Sequence, residues 1–543
     1  MQAVPSAARI VTVLALGLSL ASSSASAATI TGTPRAERLA GTAGADSIDG
    51  AGGADRLEGR GGGDFLAGGG GRDSLLGGPG NDRLATHYDG SRDTVTCGSG
   101  RDVVNADASD RLSGDCEVVS RRLSRDPYLN GDQHETQVEP DSFAFGSTVV
   151  STFQVGRFFD GGAANTGFAT SRDAGRTWRA GYLPGLTSFS TPPGPVTRAS
   201  DPVVAYDAAH DVWLIASLGI SPVRDYLLVS RSRDGVRWEL PAVAARSQVA
   251  ELAYDKEWVT CDNWPSSPFY GRCYLSYTDV RGNRLATQRS TDGGLTWSPP
   301  ASPAVGSGPR QLSVLGAQPA ARPDGSFVVV FHAFTTEDSG SLVVTRSGDG
   351  GITFATPTRV AGIDSHRVRG MRAPPLPSVD VDSLGRVYAA WHDCGLRPSC
   401  NGNDVVLSTS ADGLVWSPPR RISGRGPRAD SFIPGLAVEP GSAAARPRLA
   451  AVYYLYPRAD CRPCRLDVML VRSADGGASW SAPQRLNAES MPLSWIASTT
   501  SGRMVGDYIS TSWAAGRPVS VFSLAASPRS GRFRQATFAN TLR

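Results

Sequence analysis

Five aspartates recur at nine-residue intervals near the start of the chain: Asp46, Asp55, Asp64, Asp73 and Asp82. Each lies in a unit with glycine at its first and fourth positions, and the units open at Gly41, Gly50, Gly59, Gly68 and Gly77. Two residues after each aspartate comes an aliphatic: Ile48, Leu57, Leu66, Leu75 and Leu84. A carboxylate is a hard anionic donor, and glycine turns at positive φ bring backbone carbonyls round beside it. Calcium takes roughly six to eight such oxygens. The pattern therefore points to calcium, with the five aspartates as its ligands. A second chemical cluster is Asp255-Lys256-Glu257, which contains the only lysine of the chain.

The element that can stack such units is a short parallel β-roll, expected over residues 28–117. Its one row of aliphatics is a thin core, so folding is expected to depend on the ion. A flexible glycine-rich linker would account for the 16 of 62 glycines found between residues 41 and 85, but not for the common phase of aspartate and aliphatic. The register resembles the haemolysin-type (RTX) calcium-binding nonapeptide family. It departs from it at the edges. The unit at Gly32 carries Glu37 in place of aspartate, and after Ala85 the register breaks, to resume in part at Gly98.

A second repeat follows a polar stretch, 118–133, expected as a linker. Six segments share Ser-x-Asp-Gly-like turns closed by an aromatic: Ser171–Trp178, Ser232–Trp238, Ser290–Trp297, Ser347–Phe354, Ser410–Trp416 and Ser473–Trp480. Alternating apolar runs such as Val212-Trp-Leu-Ile and Val387-Tyr-Ala-Ala-Trp precede them and read as strands. The segments resemble the Asp-box (BNR) repeat of sialidases and related propellers, across most of 134–543. A seventh unit, from Gly506, keeps the strands without the box. The fold expected is therefore all-β: a short parallel β-roll plus a large β-propeller, seven blades favoured and six as the alternative. The boxes themselves read as turn caps rather than as a site.

If the boxes mark one face of the ring, the starts of the innermost strands and the strand 2–3 loops share the other. That selects Glu139, Asp141, Asp201, Asp255, Lys256, Glu257, Arg372, Asp430, Asp507 and Tyr508, with Arg157, Asp160, Asp279, Arg281, His392 and Asp393 from the loops. The sialidase resemblance implies an arginine cluster for a carboxylate, an acid/base aspartate and a tyrosine nucleophile. Arg157, Arg281 and Arg372 would be the forks. Asp201 or Asp255 would be the acid, and Tyr508 the nucleophile with Asp507 or Glu257. The family's amino-terminal Arg-Ile-Pro signature is missing from this chain.

Residues 1–27 read as an export signal. Arg9 precedes a short apolar run, and Ala25-Ser26-Ala27 fits a cleavage site. Eight cysteines fall as near neighbours, and the expected disulfides join Cys97 to Cys116, Cys261 to Cys273, Cys394 to Cys400 and Cys461 to Cys464. The last two would pin loops on the same face as the charged residues. A formal charge of only +3 gives no case for a nucleic-acid partner, and no apolar run is long enough to span a bilayer. The expectation is a secreted, monomeric calcium-binding protein whose propeller recognises an extracellular glycan or cell-surface ligand. An exo-glycosidase of sialidase type and a structural envelope protein are the alternatives.

Overall fold

The computed structural model describes residues 26–542 apart from 130–132, 249–251, 304–311, 337, 425, 427 and 444. The expected export signal lies almost wholly outside the described residues. These are nearly all strand and loop, with one short 3-10 turn, Leu493–Trp495. No helix among them is long and apolar enough to cross a membrane.

The nonapeptides build two parallel sheets back to back. Thr29–Thr31, Ser47–Asp49, Phe65–Ala67, Arg83–Thr86, Val103–Ala106 and Val118–Arg122 pair in order in one. Arg38–Ala40, Arg56–Glu58, Ser74–Pro79, Thr94–Ser99 and Arg111–Leu112 form the other. One turn of the roll takes two units, so Ile48 lies beside Leu66 and Leu66 beside Leu84. The aliphatics fill the space between the sheets and are fully buried.

Two expectations need correction here. The register breaks after Ala85 as expected but resumes at Asp93 rather than at Gly98: Leu75 pairs with Val95 and Leu84 with Val104, with a step of 20 residues in place of 18. The extra residues are absorbed around Tyr88, which takes a φ of 81° and donates its hydroxyl to the Leu524 carbonyl, 2.6 Å away. Nor is 118–133 simply a linker. Val118–Arg122 pairs parallel with Val103–Ala106 and antiparallel with Arg532–Leu542. Its apolar pair Val118-Val119 is buried, and an unpaired strand there would leave backbone donors without partners.

The rest of the chain forms successive antiparallel sheets. Their first strands are Gln133–Phe145, Arg198–Asp207, Tyr254–Cys261, Ser313–Ala321, Ser378–Val381 and Asp430–Val438. A further group, Ser510–Ala514, Arg517–Arg529 and Arg532–Leu542, takes Val118–Arg122 as its outer strand. The first strands neighbour one another in chain order, and Ser510–Ala514 touches both Asp430–Val438 and Gln133–Phe145, which closes the circle. Sheets packed on both faces have no solvent side, so strands such as Val387–Asp393 are buried at every position rather than alternately. Rings pack across the joints, as where Tyr274 stacks on Phe327 at 3.9 Å.

The Asp-boxes act as turn caps. In the third sheet the Ser290 hydroxyl accepts from Gly294 N at 2.9 Å, and the Asp292 carboxylate accepts from Leu295 N and Thr296 N at 3.0 Å. Gly293 and Gly294 sit at φ of 68° and 81°, which only glycine adopts without cost. The other boxes repeat the arrangement, for example at Ser347/Asp349 and Ser473/Asp475.

All four expected disulfides are present. Cys97 bonds Cys116 across the end of the roll, and Cys261 bonds Cys273 between paired strands of the third sheet. Cys394 bonds Cys400 in the loop between Val387–Asp393 and Asp404–Ser410. Cys461 bonds Cys464 in the loop between Leu449–Tyr456 and Arg465–Ser473.

Candidate functional site

Within the roll, each aspartate divides its two oxygens. One oxygen of Asp64, Asp73 and Asp82 accepts the backbone N–H of Asp46, Asp55 and Asp64 respectively, at 2.8 Å. The same bond continues to Asp93 and Asp102. The other oxygen, Oδ2, of Asp55, Asp64, Asp73, Asp82, Asp93 and Asp102 is buried with no hydrogen-bond partner. A carboxylate oxygen left so is costly unless a cation meets it.

The unit glycines leave the room. A Cβ at Gly59 would stand 2.4 Å from Asp64 Oδ2 and 2.5 Å from the Gly77 carbonyl, and Gly50 and Gly77 show the same pairing of carboxylate and carbonyl. This donor set of hard oxygens fits calcium. Bound there, calcium would supply the positive charge that the stacked carboxylates lack. Asp46 belongs to the first turn, where Thr42 shares its carboxylate. Asp93 and Asp102 extend the ladder beyond the five expected ligands. Their nine-residue spacing and the aliphatics Val95 and Val104 two residues on were the signal for them.

On the ring, the first strands share a local device. Their pairing shifts register between Val138 and Asp141, Ser200 and Val203, Asp255 and Trp258, Leu315 and Gln318, and Phe432 and Gly435. At these bulges Glu139, Asp201, Lys256 and Ile433 take φ of 52°, 48°, 50° and 52°, and Gly316 takes 71°. Left-handed backbone at a non-glycine residue costs about 1–3 kcal/mol and persists only where the surroundings enforce it. Bulges of this kind re-aim a side chain, and here three of them aim charge at one point.

Lys256 is the hub. Its buried ammonium donates to Glu139 Oε1, Asp201 Oδ1 and Asp507 Oδ2, each at 2.9 Å. It also lies 5.6 Å from the centre of the Tyr508 ring. Arg372 donates from Nε to Asp507 Oδ1 at 2.9 Å and from Nη2 to Oδ2. Gln154 donates to Glu139 and to Ser200 Oγ. Nothing in the local sequence marks Gln154 or Ser200, because both are ordinary polar residues of buried strands.

The acids divide into two kinds. Burial alone would raise Asp201, but the Lys256 ammonium and hydrogen bonds from Glu139 and Lys256 outweigh it and hold the carboxyl below its usual range. Asp507 goes the same way: burial raises it, and Arg372 and Lys256 together pull it lower. Asp255 is pushed up to about 7, by burial first and then by the Asp201 charge. Burial likewise raises Glu139 and Glu257, and neither oxygen of Glu257 has a hydrogen-bond partner. The surroundings thus hold Asp201 and Asp507 toward the ionised form, beside Lys256 and Arg372, and push Glu139 and Asp255 toward the protonated one.

The expected arginines separate. Arg372 lies near enough for its charge to act on Arg157, but Arg157 donates to Gln133 Oε1 and the Phe158 carbonyl rather than to the acids of the hub. Arg157 is buried, its Nε has no partner, and burial lowers it to about 10. Arg281 stands exposed on the turn before Arg284–Ser290 and does not join the buried cluster. Its neighbour Asp279 pairs with Arg284.

Tyr508 is in the cluster but not poised to attack. Its hydroxyl donates to the Pro202 carbonyl at 3.0 Å, and burial with the surrounding acids raises it well above its usual value. The remaining candidates have other partners. Asp141 accepts from Val204 N and braces two sheets, and Asp160 pairs with Arg198 at the surface. Asp430 meets His366 and Asn403, while Asp393 caps Gly395. Toward the other ends of the same first strands lies a cavity of about 300 Å³, with Trp258, Trp264 and Trp513 in its wall.

The two loop disulfides lie in the loops where the sequence places them. Each closes a strand 2–3 loop, but neither Cys400 nor Cys464 is a partner of the Lys256 hub. Cys400 is exposed at a φ of 42°, and its bonded partner Cys394 donates its N–H to the Asp364 carbonyl at 2.7 Å. Cys464 is buried among Phe432, Tyr456 and Leu466 in the core of a neighbouring sheet. Both therefore hold loops in shape, Cys400 at the surface and Cys464 from beneath, without shaping the charged cluster itself.

The family model for the RTX calcium-binding nonapeptide repeat matches residues 31–66 and 58–86. That for the BNR/Asp-box repeat matches residues 288–299. No curated protein matches the chain. Among solved structures, an α-L-arabinofuranosidase from Fusarium graminearum in complex with an iminosugar inhibitor is similar at 15% identity, covering 61% of this chain and 91% of its own, with a TM-score of 0.42. An ulvan lyase is similar at 11% identity, 75% and 94% coverage and a TM-score of 0.44. A Hadza microbial sialidase is similar at 14% identity, 65% and 66% coverage and a TM-score of 0.38. At these values the functional reading rests on the chain's own residues.

Proposed function

We propose that this is a secreted, calcium-stabilised binding protein. Its seven-bladed ring, residues 134–543, would recognise a glycan or surface ligand, with an anionic group as the favoured contact. The observation that carries the reading is the state of the Lys256 hub. Its carboxylates are consumed by Lys256 and Arg372, and the Tyr508 hydroxyl is spent on a backbone carbonyl. What remains at the opening is Arg372, its side chain 33% exposed, and the partly exposed Asp255. Arg372 keeps an exposed edge and Arg157 an unpartnered Nε, so the site offers guanidinium donors to an anion. Fixed charges on rigid strands suit recognition.

One observation favours a second reading, an exo-glycosidase. Asp255 and Asp201 are neighbouring carboxyls whose environments push them in opposite directions, an arrangement that assigns acid and base roles in hydrolases. Incubation with a mixed panel of neutral and acidic glycans, read by mass spectrometry, separates the two. Retention without product supports the binding protein, and weakened retention in Arg372→Ala would locate it. Release of a monosaccharide, lost in Asp255→Asn, would overturn that reading in favour of the hydrolase.

A further inference from the structure

The strand Val118–Arg122 belongs to two structures at once. It is the last strand of the roll, beside Val103–Ala106, and the outer strand of the last sheet of the ring, beside Arg532–Leu542. The ladder of aspartates runs directly into it. Asp82 N donates to Asp102 Oδ1 at 2.8 Å, Asp102 N to Glu117 Oε2 at 2.9 Å, and Val118 N to the Asp102 carbonyl at 3.1 Å. The buried, unpartnered Asp102 Oδ2 is therefore one residue's hydrogen bond away from the shared strand. Further bonds tie roll to ring. Asn105 spans Leu486 O and Ala488 N, Tyr88 reaches Leu524 O, and Asn540 donates to Val119 O.

The same seam passes under the charged cluster. Arg532–Leu542 meets the first strand of the ring at Thr136 and Gln535, and Thr537 N donates to Gln137 Oε1 at 3.1 Å. Glu139 follows two residues later on that strand, and Asp507 stands three residues before Ser510–Ala514. Lys256 binds both. The two acids come from opposite sides of the join between the first sheet and the last.

We propose that the calcium-loaded roll is the closing strap of the ring. With ions bound, Val118–Arg122 is held in place, the last sheet is complete, and Glu139 and Asp507 are brought together around Lys256. Without ions, the stacked carboxylates repel, the strand loosens, and the seam opens before the rest of the ring. This rests on the calcium reading of the roll. It makes the recognition face conditional on calcium at a distance from the ions, through a two-state element that both regions share.

The test is amide hydrogen exchange on the full mature chain, in excess calcium and in chelator. The expected result is exchange faster by about tenfold or more in Val118–Arg122, Arg532–Leu542 and Ser510–Ala514 on chelation. Cys273–Asp279 and Phe327–Thr336, far round the ring, should keep their rates. The double variant Asp82→Asn/Asp102→Asn should reproduce this pattern in calcium. If the strands of the roll respond to chelation while Arg532–Leu542 and Ser510–Ala514 do not, the strap is refuted and the calcium reading stands. If the roll itself is indifferent to calcium, both fall together.

Discussion

The Lys256 ammonium lies 2.9 Å from Asp507 Oδ2 and joins the third sheet of the ring to the segment that opens the last. Both groups are buried, and neither has water to turn to. Removing one partner of a buried ion pair typically costs about 3–5 kcal/mol, because the other is left uncompensated. Lys256→Met should destabilise the ring by that order in thermal or denaturant unfolding. Adding Asp507→Asn should restore part of the loss. A double variant no more stable than the single one would mean that the charge pair is not what holds the seam.

Asp255 gives the cluster a pH dependence. Its folded value is raised to about 7 from an ordinary 3.8, by burial and by Asp201. A raised acid contributes stability that is complete below its ordinary value and is lost as pH rises through the folded one. The melting temperature of the ring should therefore fall between about pH 4 and about pH 7 and level off above that. Asp255→Asn, which keeps the neutral form, should flatten that slope. An unchanged slope would assign the titration to another group.

The roll should lose ions one ligand at a time. Asp64→Asn and Asp82→Asn keep an acceptor for the backbone N–H while removing the charge that faces calcium. Calorimetric titration should find fewer or weaker sites in each. The rise in melting temperature on adding calcium should shrink accordingly, as linkage requires. Wild-type stoichiometry in both variants would exclude these two carboxylates as ligands.

His366 and Asp430 form a second, smaller titrating pair, with Nδ1 3.0 Å from Oδ2. The hydrogen bond to Asp430 raises His366 above its ordinary 6.5. The stability this pair contributes is complete below about pH 6.5 and disappears as pH rises through the folded value. His366→Gln should cost about 1 kcal/mol in mildly acidic solution and little in alkaline. A cost independent of pH would point to packing instead.

The sequence by itself determined the local repeats. Period-nine aspartate and aliphatic place Asp64 and Leu66 on inward positions of a roll, since two units make one turn and every turn repeats the same burial. The Asp-box is equally local: Ser290, Asp292 and two glycines cap one turn with their own neighbours. The disulfides link residues close along the chain, as Cys394 with Cys400 and Cys461 with Cys464, so proximity in sequence was enough to pair them.

Tertiary structure decided the rest. Only ring closure gives Val118–Arg122 a partner in Arg532–Leu542, and a five-residue segment carries no local sign of a pairing so distant. The face rule gathered Asp201, Lys256, Arg372 and Asp507, but it also admitted Arg281, which the turn holds outward. It could not tell that bulges at Glu139, Asp201 and Lys256 would turn three side chains to one point, because left-handed backbone at those residues is imposed by their neighbours rather than preferred by them. Which acid keeps its proton followed in turn from burial and from the charges the closed ring brings within reach.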